Sequence, residues 1–191
     1  MLVTRKAAKQ EPARYATHAD FCRIFKNDMN RLYLLSFLLT GDHSLAEKCF
    51  VRGLVDSKSG NSVFVQWAES WALRKIVQNA IEMIQPRPKD YRTGNSTSER
   101  KTEHASTEPA EIAQVLAMPA FDRFAFVLSV LERYSDQECA LLLNCSVSEF
   151  VAARIHAMEQ IGKSAERYRK AISVGSGGGE REDSPICALR F

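Results

Sequence analysis

Apolar residues recur along this chain at steps of three and four positions, the spacing that places side chains on one face of an α-helix. In the first half the pattern runs from Phe21 to Leu39 and returns from Val63 to Ile84. In the second half it covers residues 121–131 and 147–161. These four segments predict amphipathic helices and an all-α fold.

Helix boundaries are marked by polar residues. Ser44, Ser135 and Ser146 are each followed three positions later by glutamate, which predicts capping boxes at three helix starts. Asp20 is a predicted N-cap of the first helix, and Gly41 is its predicted end.

The segment 85–107 has no helical periodicity and is rich in Pro, Ser, Thr and charged residues, which is typical of a flexible linker. Residues 1–18 form a basic arm and residues 173–191 a glycine-rich tail, and both are predicted to be disordered. The helices at 19–84 and 108–172 are therefore predicted to form two small helical bundles joined by a flexible linker.

The second bundle is predicted to contain a helix-turn-helix. Asn144, which tolerates a left-handed conformation, separates two short helical segments. Such a motif places its second helix in the major groove of DNA. The polar and basic residues that could reach phosphates or base edges there are Ser146, Ser148, Arg154, His156 and Lys163.

Two features of this predicted recognition helix affect its chemistry. Its buried side is predicted to carry Val147, Phe150, Val151, Ile155, Met158 and Ile161. Residues 118–161 contain three basic against six acidic side chains, and phosphate contacts dominate DNA affinity. The affinity of the motif for DNA therefore depends on the basic residues that follow residue 161.

The bulk composition favours a soluble cytoplasmic protein without catalytic activity. The net charge of +3 is too small to indicate a nucleic-acid binder by itself. The five cysteines form no CxxC pair, the four histidines are dispersed, and no phosphate loop or nucleophile motif occurs, so we expect no metal, no cofactor and no enzyme. The apolar runs are too short to span a membrane, and the N-terminus lacks a signal peptide.

The segment LAMPAFDRFAFVLSVLERYSDQECALLLNCSVSEFVAARIHAMEQI resembles the promoter-reading domain of small sigma factors of bacterial RNA polymerase, those of the extracytoplasmic-function type. In the first half, DFCRIFKNDMNRLYLLSFLLTGDHSLAEKCFVRGLVDS is similar to the polymerase-binding domain of the same family. The resemblance spans about residues 19–172 without the linker.

This resemblance implies two sets of functional residues in the first bundle. A polymerase-binding surface is implied at Glu47, Lys48, Val51 and Arg52, where basic side chains stand in place of acidic ones of the family. The segment WAESWALRKIVQNAI is similar to the promoter-melting helix, with Trp67, Trp71, Arg74, Lys75, Gln78 and Asn79 at least half exposed. Rings stack on unpaired bases while cations hold the backbone. The alternative is that the tryptophans pack in the core.

The resemblance implies a sigma-factor-like transcription initiation protein. Its partners would be the RNA polymerase core, promoter DNA and an inhibitory regulatory protein, in the bacterial cytoplasm. The alternative is a degenerate sigma-like protein that acts as a protein-interaction or regulatory module without specific DNA binding. The acidic helix-turn-helix and the basic Lys48 and Arg52 favour this alternative.

Overall fold

The structure, a computed structural model, describes residues 14–59, 62–88 and 109–175. Over these ranges it contains eight α-helices and no β-strand, which confirms the all-α prediction. The helices are α1 (His18–Asn27), α2 (Met29–Thr40), α3 (His43–Ser59), α4 (Ala68–Ile84), α5 (Ala110–Leu116), α6 (Ala120–Phe126), α7 (Asp136–Leu143) and α8 (Val147–Gly175). Most of the linker, arm and tail lies outside the described residues.

The helix predicted from Asp20 is two helices. Thr17 is the N-cap of α1, and Asp20 is its third residue, which accepts the backbone N–H of Thr17 at 2.9 Å. Arg14 donates to the Asp20 carboxylate at 2.8 Å and, with the hydrogen bonds from Thr17, holds the pKa of Asp20 well below its usual range. The break between α1 and α2 falls at Asp28, where no Gly or Pro signals it. The predicted N-cap at Asp20 was therefore wrong by three positions.

The other helix starts of the first half also differ from prediction. Asp42 caps α3, because its Oδ1 accepts the backbone N–H of Leu45 at 2.8 Å, and the capping box predicted at Ser44 is absent there. The helix predicted from Val63 begins at Ala68, after a 3-10 turn at Val65–Trp67. Asp42, two positions before Ser44 and outside the helix, competes better for the free N–H groups than a serine inside the helix.

Close packing of α2, α3 and α4 forms the core of the first half. Leu32, Leu39, Cys49 and Ile76 are fully buried there. A Cβ on Gly53 of α3 would lie 2.7 Å from Cγ1 of Ile76, so the glycine allows α3 to approach α4 closely. This packing positions the exposed faces of α3 and α4 described below.

The second half is built on buried aromatic rings. Phe121 and Phe124 of α6 pack with Phe150 of α8, and α6 continues into a π-helical turn at Val127–Leu131. Asn144 has φ 50° and ends α7, as predicted. The capping box at Ser135 is confirmed as well, with the Ser135 N–H donating to Glu138 at 2.9 Å.

The buried side of α8 was predicted incorrectly in part. Phe150, Ala153 and Ala157 face the core, whereas Val147, Ile155 and Met158 are exposed. Alanines at 153 and 157 allow close approach to α6, and this turns the larger apolar side chains outward. Apolar residues lie on both faces of α8, so the sequence pattern alone does not show which face is buried.

The two halves contact one another through α2 and α6. Buried residues of both halves belong to one hydrophobic cluster. Arg123 of α6 is buried and donates to the carbonyl oxygens of Leu39, at 3.2 Å, and Leu116, at 3.3 Å. Burial lowers the pKa of Arg123 to about 10, so the guanidinium stays charged at neutral pH.

Gly41 ends α2 at this contact, and we expect Gly41→Ala to lower the free energy of unfolding by about 1–2 kcal/mol. Its φ of 73° strains an L-residue, and a Cβ would lie 3.1 Å from the Arg123 guanidinium. Urea denaturation measures the change. Gly162→Ala is the control, because a Cβ there meets nothing within 4 Å; a similar loss in both variants would contradict the argument.

Candidate nucleic-acid and partner surfaces

An open cleft of about 640 Å³ lies between the start of α4 and the loop before α7. We call it the aromatic cleft. One wall carries Phe64, Trp67 and Trp71, and the opposite wall includes Arg133 and Tyr134. Of the predicted DNA-binding residues, Trp67, Trp71 and Arg74 line this cleft together. Its size and its mixture of rings and cations suit an unpaired base with its phosphate.

Contacts between aromatic rings hold Trp67 at the rim of the cleft. Its side chain is 56% exposed and meets the edge of Phe64, whose ring is stacked on Tyr15 at 4.7 Å. Backbone hydrogen bonds of 2.7 Å from Ala16 to Val63 and 3.0 Å from Val65 to Arg14 hold these segments together. The predicted disorder of the basic arm was therefore wrong for residues 14–18, and the part of Tyr15 and Phe64 was not predicted, because their pairing joins segments far apart in the chain.

The remaining predicted residues of α4 divide between surface and core. Trp71 is half-buried beneath Lys75, whose Nζ lies 4.7 Å from the ring centroid, and Lys75 also donates to Gln78 at 3.2 Å. The predicted exposure of Asn79 was wrong, because only 2% of this residue is exposed. Its side-chain amide donates to Asp56 of α3 at 2.7 Å and therefore links α3 to α4.

Two carboxylates, Glu132 and Glu138, line the aromatic cleft as well. Arg31 donates to Glu69 at 2.9 Å and to Glu132 at 3.3 Å. Burial raises the pKa of Glu132, while the neighbouring Arg31 opposes that rise. Arg31 is therefore already neutralised, and Arg74 at the exposed surface of α4 is better placed for a phosphate.

The N-terminal end of α8 is occupied by a carboxylate of its own chain. Glu149 accepts the backbone N–H of Ser146 at 2.8 Å and its hydroxyl at 2.6 Å, which confirms the predicted capping box. The Ser146 hydroxyl also lies 3.1 Å from the hydroxyl of Ser148. Both serines are exposed, as DNA contact requires, but Glu149 places a negative charge where a phosphate would approach.

The cationic candidates on α8 are also paired with carboxylates. Arg154 donates to Asp136 of α7 at 2.5 Å, and Lys163 lies 3.7 Å from Glu159. His156 contacts the fully buried Asp122 of α6, with Nδ1 2.8 Å from the carboxylate. These contacts orient α7 and α6 against α8, and each would compete with a phosphate for the same side chain.

Replacing Ser146 with alanine is expected to raise the pKa of Glu149. The hydroxyl and backbone N–H of Ser146 stabilise the ionised carboxylate and lower its pKa, and the pKa of Glu138 is lowered by Ser135 in the same way. Carboxyl ¹³C NMR titration measures both groups, with Glu138 as the internal control. The lowered pKa of Glu149 gives the cap a stabilising contribution above the ordinary glutamate pKa of about 4.3 that is lost as pH falls through the folded-state pKa. An unchanged Glu149 midpoint in Ser146→Ala would contradict this argument.

The predicted polymerase-binding residues share one exposed face of α3. Glu47, Lys48, Val51 and Arg52 line an open groove of about 570 Å³ with Leu45 and Met83. Arg52 lies 3.4 Å from Glu82 of α4, a solvent-exposed pair that screening weakens. The groove combines the apolar side chains Leu45, Val51 and Met83 with a rim that carries Lys48 and Arg52 beside Glu47, so a partner would need an apolar centre with polar edges.

The described residues give little support for metal binding or for thiol chemistry. No group of three or more His, Cys, Asp or Glu side chains is placed to hold a metal ion there. Burial raises the pKa of the Cys49 thiol to about 11 and that of Cys139 to about 12, so both thiols are protonated and unreactive at neutral pH. None of the helices in ranges 14–59, 62–88 and 109–175 is long and apolar enough to cross a membrane.

The sequence matches no protein-family model, and a search of curated proteins returns no significant relative.

Proposed function

We propose that this chain is a sigma-factor-like transcription initiation protein that binds the RNA polymerase core and promoter DNA in the bacterial cytoplasm. In this proposal the helices α1–α4 and α5–α8 are two bundles on a flexible linker, and the α7–α8 pair is a helix-turn-helix. The protein has no catalytic role of its own.

The aromatic cleft is the observation that carries the proposal. Trp67 is a large ring that is mostly exposed at the start of α4, and Arg74 follows two turns later on the same helix. A ring this exposed is accessible to a base that stacks on it. A base stacked on Trp67 would bring its phosphate toward Arg74, and Lys75 over Trp71 would add a second positive charge.

Polymerase binding is assigned to the groove on α3. Val51 is mostly exposed between Lys48 and Arg52, which makes an apolar centre with charged edges. This groove and the aromatic cleft are lined by different residues, so a partner in one leaves the other open.

Binding of a labelled single-stranded oligonucleotide to the full chain tests the DNA component, with a duplex of the same sequence for comparison. We expect the single strand to bind more tightly than the duplex, because the cations on α8 are already paired. The logarithm of the single-strand affinity should fall with the logarithm of the salt concentration by about 0.7 for each phosphate neutralised. No single-strand binding at low salt would refute this component.

Capture of core RNA polymerase by the immobilised full chain tests the other component. We expect Val51→Asp to reduce capture by about tenfold, because a buried charge at the apolar centre of an interface costs at least 1.4 kcal/mol. Arg52→Glu tests the basic rim, and Val130→Asp places the same charge on an exposed valine of the second half as a control. Equal capture by all three variants would contradict the assignment.

A second candidate function is a degenerate sigma-like protein that acts as a protein-interaction or regulatory module without specific DNA binding. The observation that favours it is the apolar surface of α8, where Ile155 and Met158 are exposed and no cation is left unpaired among Arg154 and Lys163. Both candidates retain the groove on α3, and they differ in whether α8 and the aromatic cleft bind DNA.

A further inference from the structure

The two walls of the aromatic cleft come from different halves of the molecule. One wall surrounds the start of α4 and carries Trp67 and Arg74. The opposite wall is the loop between the π-helical turn and α7, and it carries Arg133 and Tyr134. The residues to which single-strand binding is assigned above all belong to the first half. A ligand that fills the cleft would also contact the second half.

The backbone of Arg133 is held in a strained conformation. Its φ of 59° lies in the left-handed region that favours glycine. The backbone N–H of Tyr134, the next residue, donates to the carbonyl oxygen of Leu128 at 3.0 Å and closes the end of the π-helical turn. Strained residues of this kind cluster at functional sites. An arginine at a position suited to glycine therefore indicates a role for its side chain.

The charge of Arg133 is available to an anion. Its side chain is exposed and forms no ion pair with any residue that the structure describes. Arg31, by contrast, donates to two carboxylates. Hydrogen bonds from Ser135 lower the pKa of Glu138, and the charge of Arg74 lowers it further. Each wall thus presents one exposed arginine, and the arginine of the second wall has no carboxylate partner in the described part of the chain.

Tyr134 adds an aromatic ring to the second wall. It is half-buried, and burial, together with the negative charge of Glu132, raises the pKa of its hydroxyl above the usual value. The hydroxyl therefore stays neutral and does not repel a phosphate. A ring beside a cation is the combination that binds single-stranded nucleic acid, and both walls of the cleft have it.

We propose that Arg133 and Tyr134 complete the single-strand site, with Arg133 binding a backbone phosphate and Tyr134 contacting the neighbouring base. The strand then crosses from the first half of the protein to the second. This inference rests on the DNA component of the proposed function and adds binding residues from the second half to it. Because the strand contacts both walls, its binding also stabilises the contact between the two halves.

The substitution Arg133→Gly separates a binding role from a structural one. We expect it to weaken the binding of a labelled single-stranded oligonucleotide to the full chain by about fivefold at about 0.1 M salt. The salt slope should fall by about 0.7, because one phosphate contact is lost. The thermal unfolding temperature should rise, by up to about 4 °C, since glycine relieves the strained φ. Weaker binding together with a lower unfolding temperature would indicate structural damage and overturn the proposal.

Two control variants address the backbone and the charge separately. Gln85→Gly relieves another positive φ, of 49° at the end of α4, at a residue that does not line the cleft. Lys26→Gln removes one positive charge from an exposed position on α1. Both variants should bind the oligonucleotide within about twofold of the unsubstituted chain. Equal weakening by Arg133→Gly and Lys26→Gln would show a general charge effect and refute the assignment.

Photochemical cross-linking locates the strand on the unsubstituted chain. An oligonucleotide that contains bromouracil reacts with neighbouring aromatic side chains on irradiation, and mass spectrometry of the digested complex identifies them. We expect cross-links at Trp67 or Trp71 and also at Tyr134. Cross-links confined to the tryptophans would disprove the second wall but leave the proposed function intact. Failure of the unsubstituted chain to bind any single strand would instead remove the DNA component itself.

Discussion

Replacing Phe150 with alanine is expected to lower the free energy of unfolding by about 3–5 kcal/mol, the usual cost of removing a fully buried phenylalanine side chain. Phe150 is the large side chain in the first turn of α8 that faces the core, and its exposed fraction is zero. The alanines at 153 and 157 are too small to close the resulting cavity. Urea denaturation followed by far-UV circular dichroism measures the change.

The same variant reports whether the two halves unfold together. Both tryptophans of the chain, Trp67 and Trp71, lie in the first half, so their fluorescence follows that half alone. If the α2–α6 contact makes one cooperative unit, Phe150→Ala shifts the fluorescence and circular dichroism midpoints equally; two independent bundles would leave the fluorescence midpoint unchanged. Ile155→Ala is the control on the exposed side of α8, where a change within about 0.5 kcal/mol is expected.

Replacing Trp67 with alanine is expected to weaken single-stranded DNA binding by about 1–3 kcal/mol, the range measured for one stacked base, or about 5- to 150-fold in affinity. Trp67 is more than half exposed at the rim of the aromatic cleft, so the loss of its ring removes a stacking platform without opening the core. Fluorescence anisotropy with a labelled oligonucleotide measures the affinity.

The dependence of single-strand affinity on salt concentration separates the stacking contribution of Trp67 from the charge contribution of the cations. Trp67→Ala should leave the salt slope unchanged, because stacking releases no counterions, whereas Arg74→Ala should reduce it by about 0.7. Met29→Ala removes an exposed apolar side chain of α2 outside the cleft and serves as the control. Equal affinities for the Trp67 and Met29 variants would remove the aromatic cleft from the proposed function.

Local signals in the sequence predicted several features correctly. Gly41 and Asn144 end helices in the left-handed region, and the capping boxes at Ser135 and Ser146 are formed as the spacing indicates. These features depend on residues within one turn of each other. Competition between nearby caps was harder to predict: Thr17 replaced Asp20, and Asp42 replaced Ser44, because Thr17 and Asp42 offer their oxygens three and two positions earlier.

The sequence by itself therefore determined the helical class, the helix boundaries at Gly41, Ser135, Asn144 and Ser146, and the residue types available for stacking and docking, since these follow from periodicity and from contacts between near neighbours. Only the tertiary structure decided which of those residues are accessible. Asn79 is buried because α3 brings Asp56 to it, and the larger apolar side chains of α8 face outward because small alanines occupy the core contact. The aromatic cleft likewise joins Phe64 and Tyr134 from distant segments, with Tyr15 stacked on Phe64, and such proximity depends on how the helices pack.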